Sequence, residues 1–326
     1  MSEDFLAVVR AQPEILARSI STVRAALAGS PVPAMLGAGR LLVLGMGASA
    51  HAATGFAATL RAAGRPALAA SASDVSGPPG LADAYLAISH SGRSRETVEA
   101  VRALGGSNRV GLTSHPESPL AEAVDAVLPL GCDTDTRVST ASYTATVAAL
   151  GLVAEALGAA GPGPWDQLPD LAAAILDSDV DSTVDVLSGV STVDVIGAGP
   201  HAGSAGAAAL LLREAVHLPA TAYSTREYLH GPLEVAGAGR GALVFHDGRL
   251  ASKLWEHGTS VVHVTEFIGE GGWRGSGRYA EQTAGWPPGL AGCVLDILPV
   301  QLLAYRLAER KGIPIELRHM PPDTKL

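Results

Sequence analysis

The sequence predicts an α/β protein of two similar halves, each a parallel sheet flanked by helices on both faces. Three observations predict it. Short apolar runs alternate with longer stretches of helical periodicity. Glycine and serine stand at the turns between them. A strand, a G-x-G turn and a helix of small residues occur in that order twice, at Leu44-Gly45-Met46-Gly47 and at Ile196-Gly197-Ala198-Gly199. Strands that alternate with helices are the pattern of a parallel sheet buried on both sides.

The elements follow in order. Between residues 5 and 28, Phe5, Val8, Val9, Ile15, Leu16, Ile20, Val23 and Leu27 fall near one stripe, and Pro13 splits the stretch into two helices. Leu41-Leu42-Val43-Leu44 is a short buried strand that feeds a helix over 50–63. Further strands fit at 67–70, 84–88, 109–113 and 126–130, with helices at 96–104 and 119–124 between them. A long helix over 142–157 leads to Gly161-Pro162-Gly163-Pro164, which reads as a linker. The second half opens with a strand over 193–196 and a helix over 204–216, continues with strands at 241–245 and 260–264, and closes on a helix over 294–309. The chain therefore divides into N-terminal helices (1–29), a first α/β domain (30–160) and a second (161–326).

Composition narrows the class. The 326 residues suffice for two domains, and 47% are apolar, enough for a large core. Aromatics make up only 4%, so helices and sheets must pack closely through small side chains. A formal charge of −9 argues against a nucleic-acid or anionic-membrane binder. The two cysteines, Cys132 and Cys293, form no disulfide framework or zinc spacing and read as buried small hydrophobes. The acidic start, Met1-Ser2-Glu3-Asp4, does not resemble a signal peptide, and no stretch is long and glycine-poor enough for a membrane span. A cytoplasmic protein is the expectation.

The most informative stretch is Ser89-His90-Ser91-Gly92-Arg93-Ser94-Arg95-Glu96-Thr97, between a strand and a helix. Main-chain N–H groups and the positive end of a helix point at whatever sits there, and serine hydroxyls add neutral donors. A phosphate monoester is the natural guest. Neither G-x-G turn continues into a dinucleotide fingerprint: Ala50 and Ala202 stand three residues after Gly47 and Gly199, and no acidic residue closes the next strand as that fold requires. A second segment carries Glu214 near the end of an apolar helix and His230 just before the helix stop Gly231-Pro232. A carboxylate in an apolar helix is costly unless paired, solvated in a cleft or used. Glu214 and His230 would serve as base and acid beside a carbonyl. His217 reads as a helix C-terminal histidine, and His51 and His90 as surface groups or ligand contacts. His246, His257 and His263 share no metal-ligand spacing, so no metal is expected.

These residues carry a resemblance. The loop Ser89 to Thr97 fits S-x-S-G-x-S/T-x-E/D-T, and Gly47 and Ser49 fit a glycine turn with terminal serine. Ser139-Thr140-Ala141-Ser142-Tyr143-Thr144 fits S-T-x-S/T-Y/F-T, and Leu212 to Leu233 fits L-K/R-E…A-x-A-Y…E-x-x-H-G-P-L. Over most of residues 30–326 the chain resembles the sugar isomerase (SIS) family, with two SIS domains in tandem and a Rossmann- or flavodoxin-like sheet in each. It is similar to the isomerase half of glucosamine-6-phosphate synthase and to related deaminating isomerases and deglycases.

The resemblance implies a phosphosugar pocket lined by Ser49, Ser89, Ser91, Ser94 and Ser139, with His90 contributing backbone. It implies that Glu214 shuttles a proton between C1 and C2 through an enediol or enolamine. His230 would assist ring opening, coming from the partner subunit of a homodimer with a shared active site, and Lys325 would close the site. No cofactor is implied, and the partner is a phosphorylated aminosugar. The departures are informative: Ala207, Leu211 and Ala141 replace a glutamate and two lysines of the synthase-like pattern, and the match at Lys325 is loose. Aldose–ketose isomerisation with or without loss of ammonia, cleavage of a fructosamine phosphate, and dehydration of an N-acetylated aminosugar phosphate all stay open. A non-catalytic phosphosugar sensor is the alternative of another class.

Overall fold

The computed structural model describes residues 2–75, 81–104, 108–266, 272–284 and 286–326. Two helices, α1 (Ser2–Arg10) and α2 (Gln12–Leu27), meet where Pro13 stands in the first turn of α2, the helix position that has no use for an N–H. After α3 (Val32–Leu36) the first half runs β1 (Leu41–Gly45), α4 (Ala48–Ala62), β2 (Ala67–Ser71), β3 (Ala84–Ile88), α5 (Arg95–Leu104), β4 (Arg109–Thr113), α6 (Pro119–Ala123), β5 (Ala126–Pro129) and α7 (Ala141–Ala156). Two short helices, α8 (Leu168–Leu176) and α9 (Asp181–Leu187), lead into the second half. It runs β6 (Thr192–Gly197), α10 (His201–Val216), β7 (Ala220–Ser224), α11 (Thr225–Tyr228), β8 (Arg240–Phe245), α12 (Gly248–Glu256), β9 (Ser260–Glu266), β10 (Gly272–Ser276), β11 (Tyr279–Ala284) and α13 (Leu290–Arg310).

The first sheet has the order β2-β1-β3-β4-β5 and is parallel throughout. The second has the order β10-β11-β9-β8-β6-β7, parallel except for β10, which runs antiparallel at the edge. Strand alternation sorts the side chains onto the two faces of each sheet. Leu41 and Val43 of β1 face a central core, whereas Leu42 and Leu44 join Val98, Val101 and Leu104 of α5 on the outer face. The second half repeats this. Val193, Val195, Leu243 and Phe245 point inward, and Ile196, Ala242 and Val244 pack outward on Leu250 and Leu254 of α12. The central core lies between the sheets and belongs to both halves, with α4, α7, α10 and α13 packed in it. From Ala141 to Ala154 every residue of α7 is buried, so this helix has no polar face.

Glycine lets the halves approach. Gly55 of α4 meets Gly203 of α10, and the His51 ring of α4 lies against Gly206. A Cβ on Gly203 would lie 2.6 Å from the His51 carbonyl oxygen and 2.9 Å from the Gly55 nitrogen. Both obstacles are backbone and cannot swing aside, which is the use the chain makes of its small residues at this crossing.

Helices α3, α8, α9, α11 and α12 were not expected, and two further features depart from the sequence expectation. β7, β10 and β11 were not expected as strands: β7 is a half-exposed edge and β11 (Tyr-Ala-Glu-Gln-Thr-Ala) is mostly polar, so neither shows a buried apolar run. And α13 has the length and apolarity of a membrane span, which the sequence reading did not assign. Its most apolar stretch, of mean hydropathy 1.5, is 89% buried inside the protein, packed mainly against α7, α8 and α10. Its apolarity is that of a core helix.

Candidate active site

The site lies at the C-terminal ends of β1 and β3, on either side of the point where strand order reverses. Open α/β sheets place ligands in this crevice. β1 ends at Gly45, the turn passes through Gly47 at a positive φ of 54°, and α4 begins at Ala48, which brings Ser49 to the mouth. β3 ends at Ile88 and delivers Ser89, His90 and Ser91 to the facing wall. Gly92 then turns the chain at φ 62°. A Cβ there would sit 1.9 Å from the Ser118 hydroxyl, so only glycine fits on both counts. The main-chain N–H of Ser94 donates to the Ser89 hydroxyl at 3.4 Å, and α5 starts at the next residue. Serine hydroxyls and the start of α5 thus meet at this turn.

The cleft so formed has a volume of about 320 Å³, within the range of small-molecule sites. Ser49, Ser89, His90, Ser91, Ser94, Ser139, Glu214 and Lys325 all line it. Eight of the nine expected site residues are therefore brought together. The ninth, His230, is not. It is exposed in the turn after α11, outside this cleft of its own chain. The His90 ring is engaged elsewhere, its Nε2 lying 2.7 Å from the Cys132 carbonyl oxygen, which leaves its backbone to the cleft. Ser139 shares a hydrogen bond of 2.8 Å with Ser142. The chain terminus folds over the loop: Lys325 pairs with Ser94 in an isolated bridge, its ammonium donates to Ser91 at 3.4 Å, the Leu326 N–H donates to the Arg93 carbonyl, and Arg95 donates to the Asp323 carbonyl at 2.7 Å.

Glu214 is half-buried on the last turn of α10, and among the described residues its carboxylate has no hydrogen-bond partner. Burial pushes its pKa up to about 7, with only the neighbouring Arg213 opposing the rise. A base that titrates near neutrality, unclaimed and facing a cleft, is suited to taking a proton from carbon. Burial lowers the pKa of Lys325, and Glu96 partly offsets this. His51, considered above as a ligand contact, lies instead against α10, where burial, with Arg213 beside it, holds its pKa down at about 4. His217 ends α10 in a left-handed conformation at φ 51°.

The sequence reading missed Asp135. Its carboxylate accepts from the N–H groups of Thr136, Thr140 and Ser142 and from the Thr140 hydroxyl at 2.6 Å, and so builds the turn that presents Ser139 at the start of α7. An aspartate a few residues before Ser139-Thr140 and an apolar helix is a capping signal that could have found it. Arg137, Glu96 and the apolar Met46, Leu210 and Met320 complete the walls. Beside Glu214 a recess bounded by Ala48, Ala207, Leu210, Leu211 and Ile297 holds about 10 Å³, room for no more than about one water. Ala207 and Leu211, two of the departures noted above, thus stand beside the base.

Residues 34–156 match the family model of the SIS domain. Over 100 residues the chain is 36% identical to the arabinose 5-phosphate isomerase of Pseudomonas aeruginosa, a match spanning 29% of this chain and 31% of that protein. Over 224 residues it is 25% identical to the isomerizing glutamine–fructose-6-phosphate aminotransferase of Sulfurisphaera tokodaii, covering 66% of this chain and 38% of that one. The chain matches only about a third to two-fifths of the length of these curated relatives. Its fold matches the C-terminal domain of glucosamine-fructose-6-phosphate aminotransferase from Francisella tularensis with a TM-score of 0.80 at 18% identity, covering 97% of this chain and 98% of the other. The protein is thus an α/β protein of two tandem SIS-like halves. Within the first of them, residues 34–156 carry the match to the SIS domain.

Proposed function

We propose that this protein is an enzyme acting on an aminosugar 6-phosphate, and that Glu214 moves a proton between C1 and C2 of the open-chain sugar. One observation carries the reading: an unpartnered carboxylate with a pKa of about 7 lines the same cleft as the serine loop. The phosphate accepts from the hydroxyls of Ser89, Ser91 and Ser94 and from N–H groups at the start of α5, with Ser49 and Ser139 on the adjoining walls and Lys325 overhead. Glu214 takes the C2 proton of the aldehyde form. The C2–H electron pair becomes the C1–C2 double bond, and the C1 oxygen gains a proton. Return of the proton from Glu214 to C1, with the C2 hydroxyl or amine giving up a proton to balance the one gained by the C1 oxygen, leaves a carbonyl, or an imine in an aminosugar, at C2. An imine there gives up ammonia to water. His230, exposed and outside its own chain's cleft, supports a homodimer in which the second copy supplies this imidazole for ring opening.

The test is an NMR time course in heavy water with glucosamine 6-phosphate, N-acetylglucosamine 6-phosphate and fructosamine 6-phosphates. Deuterium at C2 of the recovered sugar and at C1 of a ketose product, with ammonia released, is the expected result for the first. A released amine or an unsaturated sugar from the others would move the reading to deglycation or dehydration, with Glu214 keeping its role. Saturable binding without C2 exchange for any of them would sink catalysis and leave a phosphosugar sensor.

A further inference from the structure

The second sheet has the same crevice, and it is filled differently. Asp296 of α13 is fully buried and accepts four hydrogen bonds. Its Oδ2 receives His201 Nδ1 at 2.7 Å and the Ser204 hydroxyl at 2.6 Å. Its Oδ1 receives His246 Nε2 at 2.7 Å and the Trp286 indole N–H at 3.1 Å. The two imidazoles come from the N-terminus of α10 and from the residue after β8, and so flank the strand-order reversal between β6 and β8. The three side chains bring their ligand atoms within 4.8 Å of one another. The reading that set His246 beside His257 and His263 could not see this, because the partners are far away in sequence and one is a carboxylate.

We propose that His201, His246 and Asp296 bind a divalent first-row transition-metal ion. The donor set, two imidazole nitrogens and one carboxylate, is one that zinc, iron, cobalt and manganese accept, with water completing the shell. An ion at 2.0–2.2 Å from each ligand holds N and O atoms roughly 3 Å or a little more apart, so the 2.7 Å His–Asp pairs must open slightly, and any wider pair among atoms now within 4.8 Å of one another must close. The ion takes the place of the imidazole protons that now bridge to Asp296: a neutral ring keeps its proton on the other nitrogen, and a charged ring releases one to solvent. Ser204 and Trp286 keep their hydrogen bonds to the carboxylate and fix its orientation. The His201 and His246 side chains are 16% and 12% exposed, enough for an ion and a water to reach them. Among the described residues, His246 is also one of three non-glycine residues at positive φ, 55°, a backbone turn that directs its ring toward Asp296. The bound ion would tie together the ends of α10, β8 and α13.

The test uses the full-length protein, stripped with a chelator, dialysed against micromolar Zn²⁺ and assayed for metal per chain, with melting temperature followed in parallel. Wild type should retain about one ion per chain and melt higher with zinc. His246→Gln and His201→Asn should each weaken binding at least tenfold and lose the shift in melting. Cobalt-loaded wild type should show visible ligand-field absorption that His246→Gln lacks. Should Asp296→Asn fail to fold, the two histidine variants, at partly exposed positions, still decide the matter. Metal content below a tenth of an ion per chain, or binding equal in wild type and both histidine variants, overturns the proposal and leaves a closed, metal-free network.

Discussion

The two halves offer the same backbone frame to two different chemistries. In the first, β1 ends at Gly45 and Ser49 stands four residues later; in the second, β6 ends at Gly197 and His201 stands four residues later. Gly47 and Gly199 turn at nearly equal φ, 54° and 56°. Ser89 follows β3, and His246 follows β8. Where one crevice presents hydroxyls, the other presents imidazoles. The hydroxyl crevice stays open as a cleft of about 320 Å³, while α13 plugs the other with Asp296. The sheet and its glycine turn therefore fix where a ligand can bind, and two side-chain positions fix what kind.

The sharpest way to break this comparison is to remove one key carboxylate from each half. Glu214→Gln should lower kcat by about 10²–10⁴-fold with phosphosugar affinity kept, measured by turnover and calorimetry. Near-normal turnover would end the proposed mechanism. Asp296→Asn should instead act on the fold, by about 3–5 kcal/mol in denaturant unfolding, because it breaks a buried charge pair rather than a substrate contact. A variant as stable as wild type would show that the second crevice is no structural anchor.

Gly203→Ala tests the crossing that joins the halves. Its Cβ meets backbone on both sides, and a loss of about 1–3 kcal/mol is expected, against little change for Gly189→Ala, where a Cβ meets nothing within 4 Å. Ser91→Ala should weaken phosphosugar binding by about 1.5–3 kcal/mol, the range for a hydrogen bond to a charged group, with the melting temperature in the absence of ligand little changed.

The smallest effect is a pH profile. With a pKa of about 7, Glu214 is an effective base only when ionised, so kcat should fall about tenfold per unit below 7 and level off above it. The raised pKa means that ionisation opposes folding: this strain is absent below the unfolded-state value and complete above 7. Glu214→Gln should therefore melt slightly higher than wild type at pH 8, and the gain should vanish by pH 4.

Much of the fold was legible because buried parallel strands announce themselves locally. Leu41 to Leu44, Ala84 to Ile88 and Gly241 to Phe245 are apolar on both faces and bounded by turn residues, so each could be placed without its neighbours. β7, β10 and β11 were not legible: β7 and β10 are edge strands, which need only one apolar face or none, and β11 is mostly polar in sequence. The serine loop was read for a similar reason: Gly92, three serines and a following helix are contiguous, and contiguity carries the geometry. Asp135 acts on Thr140 and Ser142 across a turn, and its part emerged only with the hydrogen bonds.

By itself the sequence determined two α/β halves and a serine-lined turn between a strand and a helix, because periodicity, turn chemistry and capping are interactions between residues close along the chain. Only the tertiary structure decided that Glu214 enters the cleft of the first half while His230 stays outside it, and that Asp296 stands between His201 and His246. Those outcomes depend on which helix packs against which strand end, a long-range choice set by the shared core and by the glycine contact of α4 with α10.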